Sequence, residues 1–298
     1  MKRLAVFFVL LAGTLWGCIG IFVRRYNALG LSSMQTVAVR MVIAAILFAL
    51  FVLIYKRSLF IIRLKDIWIF IGSGVISVGL FTYCYFSSIE LSSLSVAAVL
   101  LYTAPAFVML FSLIFFKEKM TIPKAISLVL AVLGCAMTTG VIGGELNVTL
   151  AGFLFGLGSG ICYALYSIFS RFALNRGYEP FTITLYTFLF SAIFCLCVTD
   201  VRPVVRVVFA DWGSVGYALL FALVSCVLPY VFYTLGLKYI ASSTASIIAT
   251  VEPVVATIIG AVVFCEPLNV PFGYLGVALV FLSVVLINIK LPAKSKKA

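Results

Sequence analysis

A carboxylic acid inside an apolar segment is the first feature of this sequence that could do chemistry. Glu252 lies nine residues into the apolar run 244–264, which is roughly 13 Å along a helix. An ionised carboxylate at that depth in a membrane is costly, so such acids usually face an internal cavity and mark a solute or proton path. Because burial favours the neutral form, the group could take up and release a proton between two states. A protonated acid with a purely structural hydrogen bond is the alternative.

Arg40 is the one basic residue that lies clearly inside an apolar run, at 32–55. Its planar guanidinium suits bidentate recognition of a carboxylate, which could belong to a solute or to Glu252. Its long apolar stem could equally let the charge reach the lipid headgroups. The sequence leaves these alternatives open.

Aromatic side chains with polar tips lie inside the apolar runs. Tyr163 and Tyr166 share one helix face by their spacing, and so do Tyr230 and Tyr233. Such tyrosines suit an amphipathic pocket, although each one could instead be a packed core residue with a bonded hydroxyl. We expect the solute to be bound by Trp16, Arg40, Tyr85, Tyr102, Tyr163 and Tyr233, with Glu252 as the coupling residue.

Two prolines occur in the middle of apolar runs, at Pro105 and Pro253. Proline removes a helical hydrogen bond, and a membrane helix tolerates this where protein or a water-filled cavity satisfies the freed carbonyl. We therefore predict that both prolines are hinges or line a cavity, with a static kink as the alternative.

Enzymatic chemistry is poorly supported. The 298 residues contain no histidine, which is the commonest catalytic base and metal ligand, and the eight cysteines form no CxxC pair. No P-loop is present, and the basic residues do not form a stripe suited to nucleic acid. We expect no catalytic residue, no metal, no cofactor and no nucleic-acid partner.

The composition specifies the environment of these residues. Hydrophobic residues make up 64% of the chain and charged residues 10%, against about 45–50% and about 25% in soluble domains. This excludes a water-soluble globule. Apolar runs of membrane-crossing length predict ten transmembrane helices, near 4–23, 32–55, 66–86, 95–116, 122–141, 150–170, 181–199, 213–235, 244–264 and 271–290.

The distribution of basic residues predicts the orientation. With the N-terminus inside, sixteen of the 21 Lys and Arg residues fall on the inner side, four fall outside, and Arg40 lies within a span. The positive-inside rule therefore predicts that both termini are cytoplasmic, with 291–298 as a basic cytoplasmic tail. The acids near the ends of the runs, such as Asp66 and Glu145, are expected to be solvated.

The two halves of the chain match at an offset of 148 residues. Pro105 corresponds to Pro253 and Glu118 to Glu266, while Gly13 corresponds to Gly160 at an offset of 147. Because five spans per half is an odd number, the halves 1–141 and 150–290 should have opposite orientations. Inverted repeats are typical of secondary transporters that work by alternating access.

These features together resemble the drug/metabolite transporter superfamily, specifically its EamA-type ten-helix transporters. The resemblance rests on Gly13-Thr-Leu-Trp16-Gly17, on Arg40, on Thr250-Val-Glu252-Pro253, and on Gly273 and Gly276. The first half departs from the glutamate–proline pair, since Ala104 precedes Pro105. The resemblance implies an inner-membrane carrier that moves small metabolites such as amino acids, often outward.

The sequence thus predicts an all-α, multi-pass plasma-membrane protein built from two inverted five-helix repeats. Its expected function is secondary export of a small organic metabolite by alternating access, with solute and lipid as partners and with possible proton coupling. An uptake carrier, a facilitator for another metabolite and a membrane-embedded enzyme are the alternatives. Solute, direction, coupling ion and oligomeric state are left open.

Overall fold

The computed structural model describes residues 1–138, 149–265 and 272–288, and the regular structure within these ranges is entirely helical. We number its ten long segments α1 (Lys2–Ala28), α2 (Ser33–Tyr55), α3 (Leu64–Leu91), α4 (Leu94–Phe116), α5 (Ile122–Thr138), α6 (Leu150–Asn175), α7 (Pro180–Val198), α8 (Trp212–Leu237), α9 (Ser242–Val263) and α10 (Gly273–Asn288). Eight of them are long and apolar enough to cross a membrane, whereas α5 and α10 are shorter. The predicted spans 122–141 and 271–290 extend beyond the described residues.

The outer surface of the bundle is apolar. Large side chains such as Ile54, Leu150 and Val262 are among the most exposed in the protein. Water would disfavour such a surface, and lipid solvates it, so helices that are apolar all round are typical of a membrane protein. The prediction of a bundle of apolar helices is therefore confirmed.

The fourth helix of each half is interrupted at an equivalent point. α4 consists of Leu94–Leu101 and Ala104–Phe116, and α9 consists of Ser242–Ala249 and Val251–Val263. Pro105 and Pro253 both lie in the first turn of the second piece, where a proline is tolerated because its missing N–H would have no intrahelical acceptor. The two prolines therefore begin new helical pieces rather than bending continuous helices.

The third helices also share an irregularity. A π-helical stretch occupies Gly72–Leu80 in α3 and Leu223–Val227 in α8. Widened turns of this kind are rare and often occur near functional sites. Their occurrence at matching positions supports the internal repeat in three dimensions.

The second helices of the two halves run in opposite directions. Gln35 near the start of α2 donates a hydrogen bond to the Asp200 carbonyl beyond the end of α7, whereas Tyr55 at the end of α2 contacts Phe181 at the start of α7. α2 and α7 are therefore antiparallel. Because the short connections 29–32 and 176–179 reverse the chain before each of them, α1 and α6 are antiparallel as well.

The first helix of each half packs against the interrupted helix of the other half. A Cβ atom at Gly160 in α6 would lie 2.8 Å from the Leu100 carbonyl oxygen in α4, and one at Gly13 in α1 would lie 3.0 Å from the Ala249 carbonyl oxygen in α9. Only glycine permits such close approach of two backbones. The two halves thus interlock at the helix interruptions, near the middle of the bundle.

Candidate functional site

A cavity of about 780 Å³ lies towards one end of the helix bundle. Most of its wall comes from the C-terminal halves of α1, α3 and α9 and from the N-terminal halves of α2 and α4. These five parts lie towards the end of the bundle at which α1 finishes, and Tyr163 of α6 and Tyr230 of α8 also line the cavity. The volume falls within the range of small-molecule sites, about 300–1,000 Å³.

Glu252 lies on the cavity wall, at the interruption of α9. It is the second residue of the helical piece Val251–Val263, and its Oε2 accepts a hydrogen bond of 3.2 Å from the Tyr163 hydroxyl in α6. The start of a helix carries a partial positive charge, which favours an acid at this position. A carboxyl group from one helix and a phenol from another therefore meet where the two halves interlock.

Arg40 lies on another part of the same wall and is 8% exposed. Its Nε–H has no hydrogen-bond partner within the described ranges. It lines the same cavity as Glu252, yet no ion pair between them occurs in the described part of the chain. A buried guanidinium with an unused donor is a strong candidate for binding a carboxylate.

Aromatic rings surround these two charged groups. Trp16 in α1 makes edge-to-face contacts with Tyr163, at 6.2 Å between ring centroids, and with Tyr230, at 5.4 Å. Tyr85 and Tyr102 add further aromatic wall. Edge-to-face packing holds the rings rigidly, so the cavity offers preformed apolar faces beside one acid and one base.

Most of the residues expected at the site lie on the cavity wall, namely Trp16, Arg40, Tyr85, Tyr102, Tyr163, Glu252 and Pro253. Tyr233 and Pro105 do not line it. Tyr233 is 3% exposed, and its hydroxyl shares a hydrogen bond of 2.8 Å with Ser167. Tyr230, from the same helix, lines the cavity instead. The spacing singled out both tyrosines, and the rotation of α8 selects between them.

The described residues that line the cavity do not reach the opposite end of the bundle, where a polar network around Glu118 joins three helices. We call this the closed end; Glu118 itself follows α4. Glu118 Oε1 accepts the backbone N–H of Ser242 at 3.0 Å, and Oε2 accepts the Ser243 hydroxyl at 2.5 Å. Lys124 donates to Ser243 Oγ at 2.8 Å and lies 3.5 Å from Glu118. These bonds fix the start of α9 to the end of α4 and the start of α5.

Arg171, near the end of α6, completes this closed end. Its Nε donates to Ser242 Oγ at 3.1 Å, and its second guanidinium nitrogen donates to the Ile240 carbonyl. Sequence reasoning identifies Glu118 only by its match to Glu266, and Arg171 only by its match to Arg24 at the offset of 147 residues, because a charged residue at a helix end usually faces solvent. Their equivalent spacing in the two halves was the available signal.

Asp66 corrects one expectation. It is 2% exposed rather than solvated, because it accepts hydrogen bonds of 2.7 Å from both Arg176 and Tyr178. Glu145 lies outside the described residues. Across the described ranges, no group of three or more metal-ligating side chains is placed to hold an ion.

The family model that matches this chain is described as the EamA-like transporter family, and it matches twice, at residues 3–140 and 150–289. An uncharacterized transporter of Archaeoglobus fulgidus is 26% identical over 86% of this chain and 88% of its own. The uncharacterized transporter YyaM of Bacillus subtilis is 25% identical over 100% of this chain and 98% of its own.

A third relative carries a more specific name. The threonine/homoserine exporter RhtA of Salmonella typhimurium is 27% identical over 65% of this chain and 62% of its own. Among solved structures, a crystal structure with 15% sequence identity superposes with a TM-score of 0.77 over 95% of this chain and 96% of that one. At this identity the superposition supports the fold alone.

Proposed function

The chain belongs to the EamA-like transporter family of multi-pass membrane proteins, within the drug/metabolite transporter superfamily, and on this premise we propose that it is a secondary transporter that exports a small organic metabolite, such as an amino acid, across the plasma membrane. The transport would proceed by alternating access. The observation that carries this proposal is a cavity with one acid and one base among aromatic rings, open towards one end of a bundle whose other end is closed.

The charges of the cavity favour a dipolar solute. Glu252 can accept hydrogen bonds from an ammonium group, while Arg40 can bind a carboxylate in a bidentate manner. The aromatic rings around them suit an apolar or amphipathic side chain. A relative is named a threonine/homoserine exporter, which makes amino acids the first solutes to test.

The opposite orientation of the two halves supports alternating access. In the present state the cavity lies at one end, and the network of Glu118, Lys124 and Arg171 closes the other. Exposing the cavity to the closed end requires this network to separate. The interruptions before Pro105 and Pro253 are the proposed hinges, because each of them is contacted by the first helix of the other half.

For the topology, we propose ten membrane crossings in two repeats, 1–141 and 150–290, and a cytoplasmic tail at 291–298. Both termini would be cytoplasmic, in keeping with the positive-inside rule, so the present cavity would face outward. Reporter fusions should place the loop 56–65 in the cytoplasm and the loops containing Glu90 and Glu145 outside. A cytoplasmic Glu90 loop would contradict the orientation.

Flux measurements with the purified protein in liposomes test the proposed function. Amino acids loaded inside should leave at a rate that saturates with concentration, and imposing a pH gradient should change that rate if Glu252 couples a proton. A rate that rises linearly with concentration would favour a channel-like facilitator. Recovery of a chemically altered solute would favour an enzyme. Accumulation of the solute in right-side-out membrane vesicles would favour uptake.

A further inference from the structure

A second, smaller cavity lies at the closed end of the bundle, away from the solute cavity. It measures about 240 Å³ and is lined by Arg63, Lys65, Asp66 and Arg176. It forms where the connection between α2 and α3 meets the connection between α6 and α7. Three cations face one carboxylate, so its wall has an excess of positive charge.

The basic side chains are held in place by a buried scaffold. Asp66, whose side chain is 3% exposed, accepts a hydrogen bond of 2.7 Å from Arg176 and lies 3.1 Å from Arg63 Nε. Tyr178 donates to the same carboxylate at 2.7 Å, and Arg63 also donates to the Arg176 carbonyl at 2.9 Å. Because the guanidinium groups are already ordered, a ligand would lose little conformational entropy in binding them.

The cations are still accessible to a ligand. The side chains of Arg63 and Arg176 are 54% and 37% exposed, and Lys65 is exposed as well. A guanidinium has five N–H donors, and the scaffold bonds use only some of them. An anion with several oxygen atoms, such as a phosphate group, matches donors arranged in this way.

The rim of this basic pocket is apolar. Leu64 is 83% exposed beside it, and Ile61 and Trp68 are exposed on the same part of the surface. The Trp68 ring lies 5.2 Å from the Arg176 guanidinium. Tryptophan is enriched where acyl chains meet headgroups. The anion that fits here therefore carries apolar chains, and this distinguishes a lipid from a free phosphate.

We propose that the pocket formed by Arg63, Lys65, Asp66 and Arg176 binds the phosphate group of an anionic membrane phospholipid. Basic pockets between membrane helices recognise anionic headgroups in this way, with Lys and Arg supplying the attraction. The bound lipid would join the two connections at this end of the bundle. The proposal does not depend on which solute is transported.

Native mass spectrometry of the delipidated full chain tests this site. Phosphatidylglycerol should bind more tightly than phosphatidylcholine with the same acyl chains. Lys65→Gln should lower the affinity for phosphatidylglycerol about fivefold, because one cation near a membrane surface contributes about 1 kcal/mol. The Lys65 ammonium makes no hydrogen bond to the scaffold within the described ranges, so this variant should fold. Arg57→Gln, an exposed cation at the same end of the bundle but outside the pocket, is the matched control and should leave the affinity unchanged.

Three results would overturn the proposal. The first is equal binding of the two lipids, and the second is an equal loss of affinity in Lys65→Gln and Arg57→Gln, which would indicate diffuse surface charge. The third is displacement of the lipid by inorganic phosphate at equal concentration, which would indicate a site for a soluble anion. Arg63→Gln should also lower the affinity for phosphatidylglycerol, and gel filtration establishes whether this variant is folded. The lipid-binding measurements can be interpreted even if the transport assay detects no flux.

Discussion

The hydroxyl group of Tyr163 donates a hydrogen bond of 3.2 Å to Glu252 Oε2. The two residues belong to different helices of the second half. Tyr163 lies on α6, one turn beyond the close contact of Gly160 with α4, and Glu252 lies at the interruption of α9. A movement of α9 relative to α6 that separates these two side chains breaks this bond. The geometry therefore links the state of one carboxyl group to the arrangement of the helices.

Replacing this carboxyl group tests its role in coupling. Glu252→Gln should fold and bind solute with lower affinity, because the solute ammonium group loses a charged partner. At saturating solute its transport should no longer depend on pH, because the amide does not titrate. Tyr163→Phe is the matched control, since it removes the same hydrogen bond but keeps the carboxyl, and it should retain a pH dependence. Flux at several external pH values measures both. A folded Glu252→Gln protein with normal pH dependence would remove this residue from the coupling mechanism.

The unused donor of Arg40 predicts a selective loss of affinity. Arg40→Gln should raise the KM for an amino acid about tenfold or more, because a hydrogen bond to a charged group contributes about 1.5–3 kcal/mol. The corresponding amine, which lacks the carboxylate, should compete equally well against both proteins. Competition assays in liposomes provide the comparison. An equal loss for both ligands would show that Arg40 does not bind a carboxylate.

Substitutions can distinguish the aromatic residues that line the cavity from those that pack elsewhere in the bundle. Tyr85→Ala and Tyr102→Ala should each lower kcat/KM at least about fivefold, since removal of a buried aromatic contact commonly costs more than about 1 kcal/mol. Phe281→Ala, on the exposed surface, should have no such effect. Tyr233→Phe removes only the bond to Ser167 and should reduce stability while leaving KM unchanged. If every variant that is expressed transports normally, the solute binds elsewhere.

Replacing Glu118 should reduce the protection of backbone amides at the closed end of the bundle. Glu118→Ala deprives the Ser242 N–H of its acceptor and Ser243 of its partner, so the amides at the start of α9 should exchange with deuterium faster. Lys119→Ala, at the neighbouring exposed position, is the control. Hydrogen exchange read by mass spectrometry compares the peptides that contain 240–246. Unchanged protection in Glu118→Ala would mean that this network does not hold the end closed.

The close contact at Gly160 predicts a loss of stability. Gly160→Ala would bring a methyl group to 2.8 Å from the Leu100 carbonyl oxygen, and such overpacking typically costs about 1–3 kcal/mol. A Cβ at Gly216 in α8 would meet no atom within 4 Å, so Gly216→Ala should be neutral or slightly stabilising. Unfolding of the purified proteins in detergent measures the difference. Equal stability of the two variants would contradict the interlocking of α6 with α4.

The sequence alone determined the features that depend on local composition. Long apolar runs specify membrane helices because each run must satisfy its own backbone hydrogen bonds in lipid. The matching positions of Pro105 and Pro253 predicted that the two halves share an architecture, and the depth of Glu252 in its apolar run was enough to single it out as a candidate site residue. These signals are local or periodic, so they can be read without knowing which helices are neighbours.

The tertiary structure decided which face of each helix points inward. Tyr230 and Tyr233 have the same local pattern, yet only Tyr230 lines the cavity, because the rotation of α8 is set by its packing against α1. Asp66 has the sequence context of a solvated acid, but Arg176 and Tyr178, more than a hundred residues away, bury it. Contacts between distant segments depend on how whole helices pack, and no local pattern contains that information.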